Sequence, residues 1–292
     1  MFHGCITALV TPFKDDLSID FDRLTETIEE QIAEGIDAIV LCGTTGESCT
    51  LSEEEQIAIF KVGVEAAKGR IPIIAGTGLN DTRATVAMTE RAKACKVDAC
   101  FVVVPYYNRP TFEGCLFHYR EVAKVGLPTI LYHHPGRTGV KLSAKNIAKI
   151  CEISEIVAVK ETSFDVHFAM ELMQLTDKPI FTGDDVLSLP TICSGGAGVF
   201  SVLSNLIPGE WAQMVHSLQK GQWEEGKELF HRYWPLCQAL FREPNPQGIK
   251  YALAKLGKGT GRLRPPLFEI GLEFKKQIDN ELEVFSSWKV KN

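Results

Sequence analysis

The chain has 292 residues, of which 45% are hydrophobic and 23% charged, and this composition is typical of a globular protein. Its formal net charge of -6 argues against a nucleic-acid binder, which usually carries a basic patch. No apolar run approaches the roughly 20 residues that a membrane-spanning helix needs. The first six residues also lack the basic start and apolar core of a signal peptide. We therefore expect a cytoplasmic protein without nucleic-acid or membrane partners.

Nine cysteines are spread along the chain, an odd number that includes no C-x-x-C pair. Most of them lie inside apolar runs, as Cys42 and Cys100 do. This usage predicts free, buried and reduced thiols, which is typical of proteins in a reducing cytosol.

Short apolar runs rich in β-branched residues recur along the chain, each followed by a longer stretch of helical character. Their nearly continuous apolar character is typical of parallel strands covered on both faces. They predict strands over residues 6–10, 38–42, 71–75, 99–104, 129–132, 156–159, 180–182 and 198–202.

Helix-capping signals separate these strands. Ser52 and Glu55 form a capping-box pattern at the start of a predicted helix over residues 53–67, and Gly69 ends it. Other predicted caps are Asp81 and Thr82 for a helix reaching residue 96, and Ser143 for a helix starting at residue 144. Strands that alternate with helices indicate βαβ units. Eight consecutive units favour a closed (β/α)8 TIM barrel over an open sheet.

The pattern changes after the eighth strand. Residues 209–292 contain only helical stretches, predicted over 211–220, 223–241 and 267–280, with breakers at 243–246 and 264–266. We interpret residues 1–224 as a barrel catalytic domain and residues 225–292 as a C-terminal helical extension.

The active site of such a barrel lies at the carboxyl ends of the strands. Polar and aromatic residues cluster at these positions, in segments 43–48, 105–110, 132–139, 160–162 and 183–185. We therefore expect the functional residues among them.

Lys160 directly follows the buried run 156–159. Burial lowers the pKa of a lysine and leaves more neutral amine to attack a carbonyl group. A Schiff-base nucleophile is one interpretation. The alternative is a lysine that reaches water or pairs with Glu161 or a nearby aspartate.

Three neighbouring features each allow a functional and a purely structural interpretation. The 43–48 loop offers backbone amides and hydroxyls that suit a small carboxylate, or it is only a tight turn. Tyr132 can act as a phenolic acid or base, or it packs in the core. Arg137 can grip a carboxylate with two hydrogen bonds, or it is a surface charge.

Metal chemistry has little support in the residue pattern. His133 and His134 are adjacent, so they point to opposite faces of a strand. Asp184 and Asp185 could bind magnesium, but no phosphate-binding glycine loop accompanies them. We expect neither a metal nor a cofactor.

At these residues the chain resembles the dihydrodipicolinate synthase and N-acetylneuraminate lyase superfamily. The resemblance covers nearly the whole chain, from residues 4–12 to segments 243–246 and 263–266. Within the superfamily the dihydrodipicolinate synthases are the most similar branch, because of the Thr44-Thr45 pair, segment 106–110 and Arg137.

The resemblance implies a pyruvate-dependent class I aldolase of lysine and diaminopimelate biosynthesis. Lys160 would form a Schiff base with pyruvate, and the derived enamine would attack L-aspartate-4-semialdehyde. The Thr44-Thr45 loop would hold the pyruvate carboxylate, and Arg137 would hold the carboxylate of the semialdehyde. The remaining implied site residues are Tyr132, Thr44 and Tyr107 for proton transfer, with Gly183 and Phe200 lining the pocket.

The resemblance also implies an assembly. Tyr107 would reach into the site of a neighbouring subunit, so a dimer is the minimal active unit and a homotetramer built as a dimer of dimers is expected. The alternative activities are lyases of N-acetylneuraminate, 2-keto-3-deoxy sugar acids or 4-hydroxy-2-oxoglutarate. Arg137 argues against them, because sialic acid and sugar-acid lyases of this kind usually lack an arginine there.

Two departures from the family pattern stand out. His133-His134 replaces the common Asn-Val or Asn-Ile pair, which leaves the packing behind Tyr132 open. In relatives inhibited by L-lysine, the effector site is often lined by two histidines and a glutamate, where this chain has Glu53, Gln56 and Ala84. Ser48, Asn80 and Tyr106 still match that site. We expect weak or absent inhibition by L-lysine.

Overall fold

A computed structural model describes the backbone of residues 2–289 and the side chains of residues 2–284. The strands are β1 Gly4–Ala8, β2 Ala38–Leu41, β3 Ile73–Gly76, β4 Ala99–Val103, β5 Thr129–His133, β6 Ile156–Glu161, β7 Ile180–Thr182 and β8 Gly198–Ser201. The helices of the first half are α1 Phe21–Ala33, α2 Glu53–Ala67, α3 Thr82–Ala94, α4 Phe112–Ala123, α5 Pro135–Thr138 and α6 Ala144–Cys151. Those of the second half are α7 Val166–Met173, α8 Ser188–Cys193, α9 Pro208–Gln219, α10 Trp223–Leu240, α11 Gln247–Lys255 and α12 Leu272–Lys289.

The eight strands form a closed barrel in which each strand pairs in parallel with the next and β8 pairs with β1. This arrangement confirms the predicted (β/α)8 TIM barrel. The predicted strands all occur, with ends displaced by at most two residues. The most consequential displacement is in β6, which runs to Glu161, so Lys160 belongs to the strand itself.

Strand alternation divides the core into two layers. The residues inside the barrel are Ile6, Ala38, Val40, Ile74, Ala99, Phe101, Ile130, Tyr132, Ala158, Phe181 and Phe200. Intervening strand residues such as Leu131 and Val159 pack outward against the helices. Because side chains alternate along a strand, Lys160 shares the inward face with Ala158.

The pairing of β5 with β6 contains one irregularity. Thr129 pairs with Ile156, but the next residue, Ile130, pairs with Ala158. The register therefore shifts by one residue, at Val157. Beyond this point Tyr132 pairs with Lys160.

The predicted caps are confirmed. Ser52 and Glu55 form a reciprocal capping box at the start of α2, and Lys68 ends that helix in a left-handed conformation. Asp81 caps α3 by accepting from the Ala84 amide. Ser143 caps α6. The α3 helix ends at Ala94, two residues before the predicted end.

The C-terminal region is helical, as predicted. Helices α9, α10 and α12 correspond to the three predicted stretches, although α12 starts at Leu272, later than the predicted residue 267. The short helix α11 was not predicted. Helix α10 packs on α9 through stacked rings of Trp211 and Phe230, whose centroids lie 6.2 Å apart. The division at residue 224 remains a prediction.

A buried ion pair joins the extension to the barrel. Lys250 of α11 pairs with Glu47, and their side chains are 4% and 0% exposed. Glu47 also accepts from the backbone amide of Arg264 at 3.0 Å. Arg264 in turn forms a two-contact pair with Glu55 at 2.6 and 2.7 Å. These contacts hold the extension against the loop that follows β2.

All nine cysteines are free, as predicted. Six are buried, whereas Cys49 and Cys193 are exposed and Cys95 is partly exposed, so the prediction of burial is wrong for these positions. Within residues 2–289, no helix combines the length and the apolar character needed to cross a membrane.

Candidate active site

Lys160 lies inside the barrel near its carboxyl end and is only 7% exposed. Three aromatic rings surround its ammonium nitrogen. The Nζ atom lies 4.4 Å from the ring centroid of Tyr132, 5.4 Å from that of Phe101 and 5.6 Å from that of Phe200. The lysine head group is therefore held among rings rather than in water.

This environment favours the neutral amine. Burial lowers the pKa of Lys160 from 10.5 to about 7, against the opposing charge of Asp185, while Arg137 lowers it further. Among the described side chains, no carboxylate oxygen lies within 4.0 Å of the amine. Glu161, the partner considered from the sequence, instead contacts His133 Nδ1 at 3.2 Å.

Tyr132 of β5 pairs with Lys160 of the neighbouring strand β6, and it is 4% exposed. Its ring stacks on Phe101 with centroids 4.7 Å apart. Burial raises the pKa of the phenol, although the charge of Arg137 and a hydrogen bond with Thr44 oppose this shift. The phenol is therefore protonated at neutral pH, as a group that donates a proton must be.

A cavity of about 340 Å³ opens at this end of the barrel. Tyr132 and Phe101 form part of its wall and also contact Lys160. Its other lining residues are Cys42, Gly43, Thr44, Glu47, Ser48, Cys49, Thr50, Gln56, Gly76, Gly78, Leu79, Val103, Tyr106, Arg137, Thr138, Pro244, Asn245, Pro266 and Leu267. The cavity brings together three of the predicted site residues, Thr44, Tyr132 and Arg137.

Thr45 and Arg137 are linked by a residue from the C-terminal extension. The side-chain amide of Asn245 donates to Thr45 Oγ1 at 2.9 Å, and Arg137 Nη2 donates to the backbone oxygen of Asn245 at 3.3 Å. Thr45 is 2% exposed. Both predicted carboxylate-binding residues therefore contact the same loop.

Gly183, directly after β7, and Phe200 of β8 flank Lys160. A Cβ atom on Gly183 would lie 2.4 Å from Lys160 Cε and 2.0 Å from Thr162 Oγ1, so only glycine leaves room for the lysine. The Phe200 ring is fully buried and packs edge-on against Phe181 with centroids 5.1 Å apart. Both residues border the lysine, but neither is among the residues that line the cavity.

Tyr107 is separate from this group within a single chain. Its side chain is 88% exposed, and its backbone has a left-handed φ of 73°. Such a conformation is uncommon for an aromatic residue. Tyr107 is not among the residues that line the cavity of the single chain, and its role beside a neighbouring subunit stays a prediction.

The two histidines face opposite ways, as predicted. His133 is fully buried, and its Nε2 accepts from the Leu142 amide at 3.3 Å, which leaves Nδ1 as the donor to Glu161. His134 borders Tyr132 with ring centroids 5.9 Å apart. Burial, together with the charges of Arg137 and Lys160, lowers the pKa of His134 to about 3. His134 is therefore neutral and adds no charge beside Tyr132.

The two aspartates after β7 have different environments. Asp185 is 1% exposed and accepts from the amides of Val202 and Leu203 and from Trp211 Nε1, at 2.9 to 3.0 Å. Through these bonds, Asp185 connects the segment after β7 to the loop after β8 and to α9. Burial raises the pKa of Asp184 to about 6. Among the described residues, no cluster of three or more His, Cys, Asp or Glu side chains is placed to hold a metal ion.

Two residues that contact the predicted site residues, Phe101 and Asn245, were not predicted from the sequence. Phe101 could have been found, since it alternates with Ala99 and Val103 on the inward face of β4. Asn245 carried only a turn signal, because its neighbours are prolines and its partner Thr45 lies 200 residues away.

The fold and the site define a (β/α)8 barrel with a buried lysine at the carboxyl end of its sixth strand. The family model described as the dihydrodipicolinate synthetase family matches residues 1–284. The chain belongs to this family, which confirms the resemblance and the prediction of a lyase of lysine and diaminopimelate biosynthesis.

Individual relatives agree with this assignment. The 4-hydroxy-tetrahydrodipicolinate synthase of Geotalea uraniireducens is 44% identical over 270 residues, covering 91% of this chain and 93% of that protein. The enzyme of that name from Methanocaldococcus jannaschii is 40% identical, covering 97% and 98%. The crystal structure of dihydrodipicolinate synthase from Aquifex aeolicus superimposes with a TM-score of 0.95 at 37% identity, covering 98% of each chain.

The tight contact at Gly183 can be tested by substitution. We expect Gly183→Ala to lower kcat/KM by about 100-fold, since displacing a reacting group by about 1 Å has effects of this size. The melting temperature should change little if the lysine side chain moves aside. Gly271→Ala is the matched control, because its new Cβ would meet its nearest neighbour at 3.5 Å. Full activity in Gly183→Ala would show that Lys160 does not need this space.

Proposed function

We propose that this chain is a 4-hydroxy-tetrahydrodipicolinate synthase that condenses pyruvate with L-aspartate-4-semialdehyde through a Schiff base on Lys160. The observation that carries the proposal is the buried amine itself, with a pKa of about 7, beside a protonated Tyr132. Family membership and relatives of this name at 40 to 44% identity support the choice of reaction.

The chemistry follows from these two groups. The neutral amine of Lys160 attacks the ketone carbon of pyruvate, and loss of water gives an imine. The protonated imine withdraws electrons from the methyl group, which loses a proton to form an enamine. The enamine carbon then attacks the aldehyde of the second substrate, and cyclisation through that substrate's amine releases Lys160. Tyr132 supplies and accepts the protons, with Thr44 as its hydrogen-bonded neighbour.

The carboxylates of the two substrates are assigned to different residues. Thr45 and the backbone of its loop hold the pyruvate carboxylate beside Lys160. Arg137, which lines the cavity, binds the carboxylate of the semialdehyde. Gly183 leaves room for the lysine, and the ring of Phe200 packs 5.6 Å from its amine.

We also propose that the active form contains at least two copies, with a homotetramer in the cytoplasm as the complete assembly. The support is Tyr107, an aromatic residue that is 88% exposed in a strained backbone conformation. A second copy would cover this ring and bring it to the neighbouring site.

The deciding experiment is a coupled assay with pyruvate and L-aspartate-4-semialdehyde, in which a dihydrodipicolinate reductase consumes the product. We expect turnover only with both substrates, and none with Lys160→Ala. Borohydride should trap pyruvate on Lys160 in the unmodified protein. Trapped pyruvate without turnover would keep the lysine chemistry but reassign the second substrate to a sialic acid, a sugar acid or a hydroxy-oxoglutarate.

The lowered pKa of Lys160 sets a pH dependence. Only the neutral amine attacks, so the rate of imine formation should fall about tenfold for each pH unit below about 7 and level off above it. Stopped-flow or quenched borohydride trapping at subsaturating pyruvate measures this profile. A rate that keeps rising to pH 10 would mean that the amine has an ordinary pKa.

Arg137 is expected to act on one substrate only. Arg137→Ala should raise the KM for the semialdehyde by more than tenfold, because a charge-assisted hydrogen bond is lost. Arg137→Lys serves as a comparison that keeps the charge but not the paired contact. Trapping of pyruvate should persist in both variants. Equal losses for both substrates would indicate a structural role.

Inhibition by L-lysine is expected to be weak or absent. Glu53 is already paired with Arg91, and Gln56 donates to the backbone oxygens of Ser48 and Leu51 at 3.3 and 3.4 Å. Ala84 is exposed and offers no carboxylate. Initial rates across a lysine titration to about 1 mM should stay within twofold of the uninhibited rate. Strong inhibition below that concentration would contradict this expectation.

A further inference from the structure

We propose that Asn245, supplied by the C-terminal extension, is a positioning residue that aims the hydroxyl of Thr45 at the pyruvate carboxylate. The inference rests on the proposed function and adds a residue to it.

The hydrogen bond between the two side chains sets the direction of the Thr45 proton. Asn245 Nδ2 donates to Thr45 Oγ1 at 2.9 Å. A hydroxyl has one hydrogen to donate, and an oxygen that already accepts a bond directs this hydrogen elsewhere. Thr45 is 2% exposed, so competition from water is small. The proton is thereby left for an anionic ligand at the end of β2.

The segments that carry Thr45 and Asn245 are held in place by further contacts. Glu47, two residues after Thr45, forms the buried ion pair with Lys250, five residues after Asn245. The same loop presents its backbone oxygen to Arg137 at 3.3 Å. The geometry of the Thr45 contact is therefore set by the docking of the extension.

The competing interpretation is that Asn245 only helps to attach the extension. The extension is already attached by the Lys250–Glu47 and Arg264–Glu55 pairs. Removing one partly exposed amide should therefore change the melting temperature little, while the orientation of Thr45 is lost. Because Arg137 contacts the backbone of Asn245, truncating the side chain should leave the semialdehyde site largely unchanged.

The test is the concentration of pyruvate that gives half-maximal borohydride trapping on Lys160, measured by mass spectrometry of the full-length protein. We expect Asn245→Ala to raise this concentration by about tenfold, the upper end of the effect expected for one hydrogen bond. In the coupled assay, the KM for pyruvate should rise while the KM for the semialdehyde stays within twofold. Gln219→Ala, which loses a side-chain bond to the Ala197 backbone at 2.8 Å, is the control and should match the unmodified protein.

A double-mutant cycle separates positioning from attachment. Thr45→Val alone should raise the half-saturating concentration at least as much as Asn245→Ala. Adding Asn245→Ala to Thr45→Val should then have no further effect. Additive effects, or an Asn245→Ala variant with unchanged pyruvate saturation, would overturn the inference while leaving the Schiff-base function intact. Absence of any trapped pyruvate in the unmodified protein would instead overturn the proposed function.

Discussion

The burial of one amine inside a closed barrel is the constraint on which the rest of the site depends. An ammonium ion in an apolar interior is costly unless it is paired, and Lys160 is surrounded by aromatic rings instead of a paired carboxylate. The protein lowers that cost by letting the lysine lose its proton near neutral pH. The packing of the rest of the barrel stabilises the fold and so keeps the lysine in an environment that is unfavourable for its charged form.

The charged groups near Lys160 have partners of their own, which is consistent with its burial without an ion pair. Glu161 follows Lys160 in sequence but faces outward, where it pairs with His133. Asp185 is fully engaged by two backbone amides and an indole. Its charge acts on the lysine only from a distance. The carboxylates that would otherwise keep the lysine protonated are thus satisfied elsewhere.

Much of the barrel could be predicted, because the sequence signals for its strands and helix ends are local. Apolar runs mark the strands, capping residues mark α2, α3 and α6, and strand ends mark the site. Lys160 and Tyr132 were accessible by this route. Asn245 was not, because its partner is remote in sequence and a loop residue between prolines carries no periodic signal. The role of Tyr107 stays a prediction, because its ring is 88% exposed in the single chain. Helix α11 has only nine residues, too few for a clear helical period.

The shifted register at Val157 has a consequence for the orientation of Lys160. Paired residues of parallel strands point to the same face, and slipping one strand by one residue exchanges its two faces. If β6 continued in the register of the Thr129–Ile156 pair, Tyr132 would lie opposite Val159 instead of Lys160. Lys160 would then be turned toward the helices and away from the interior of the barrel. The irregularity lies near the start of β6, three residues before Lys160. The burial of this amine therefore depends on strand register as well as on the identity of the residues around it.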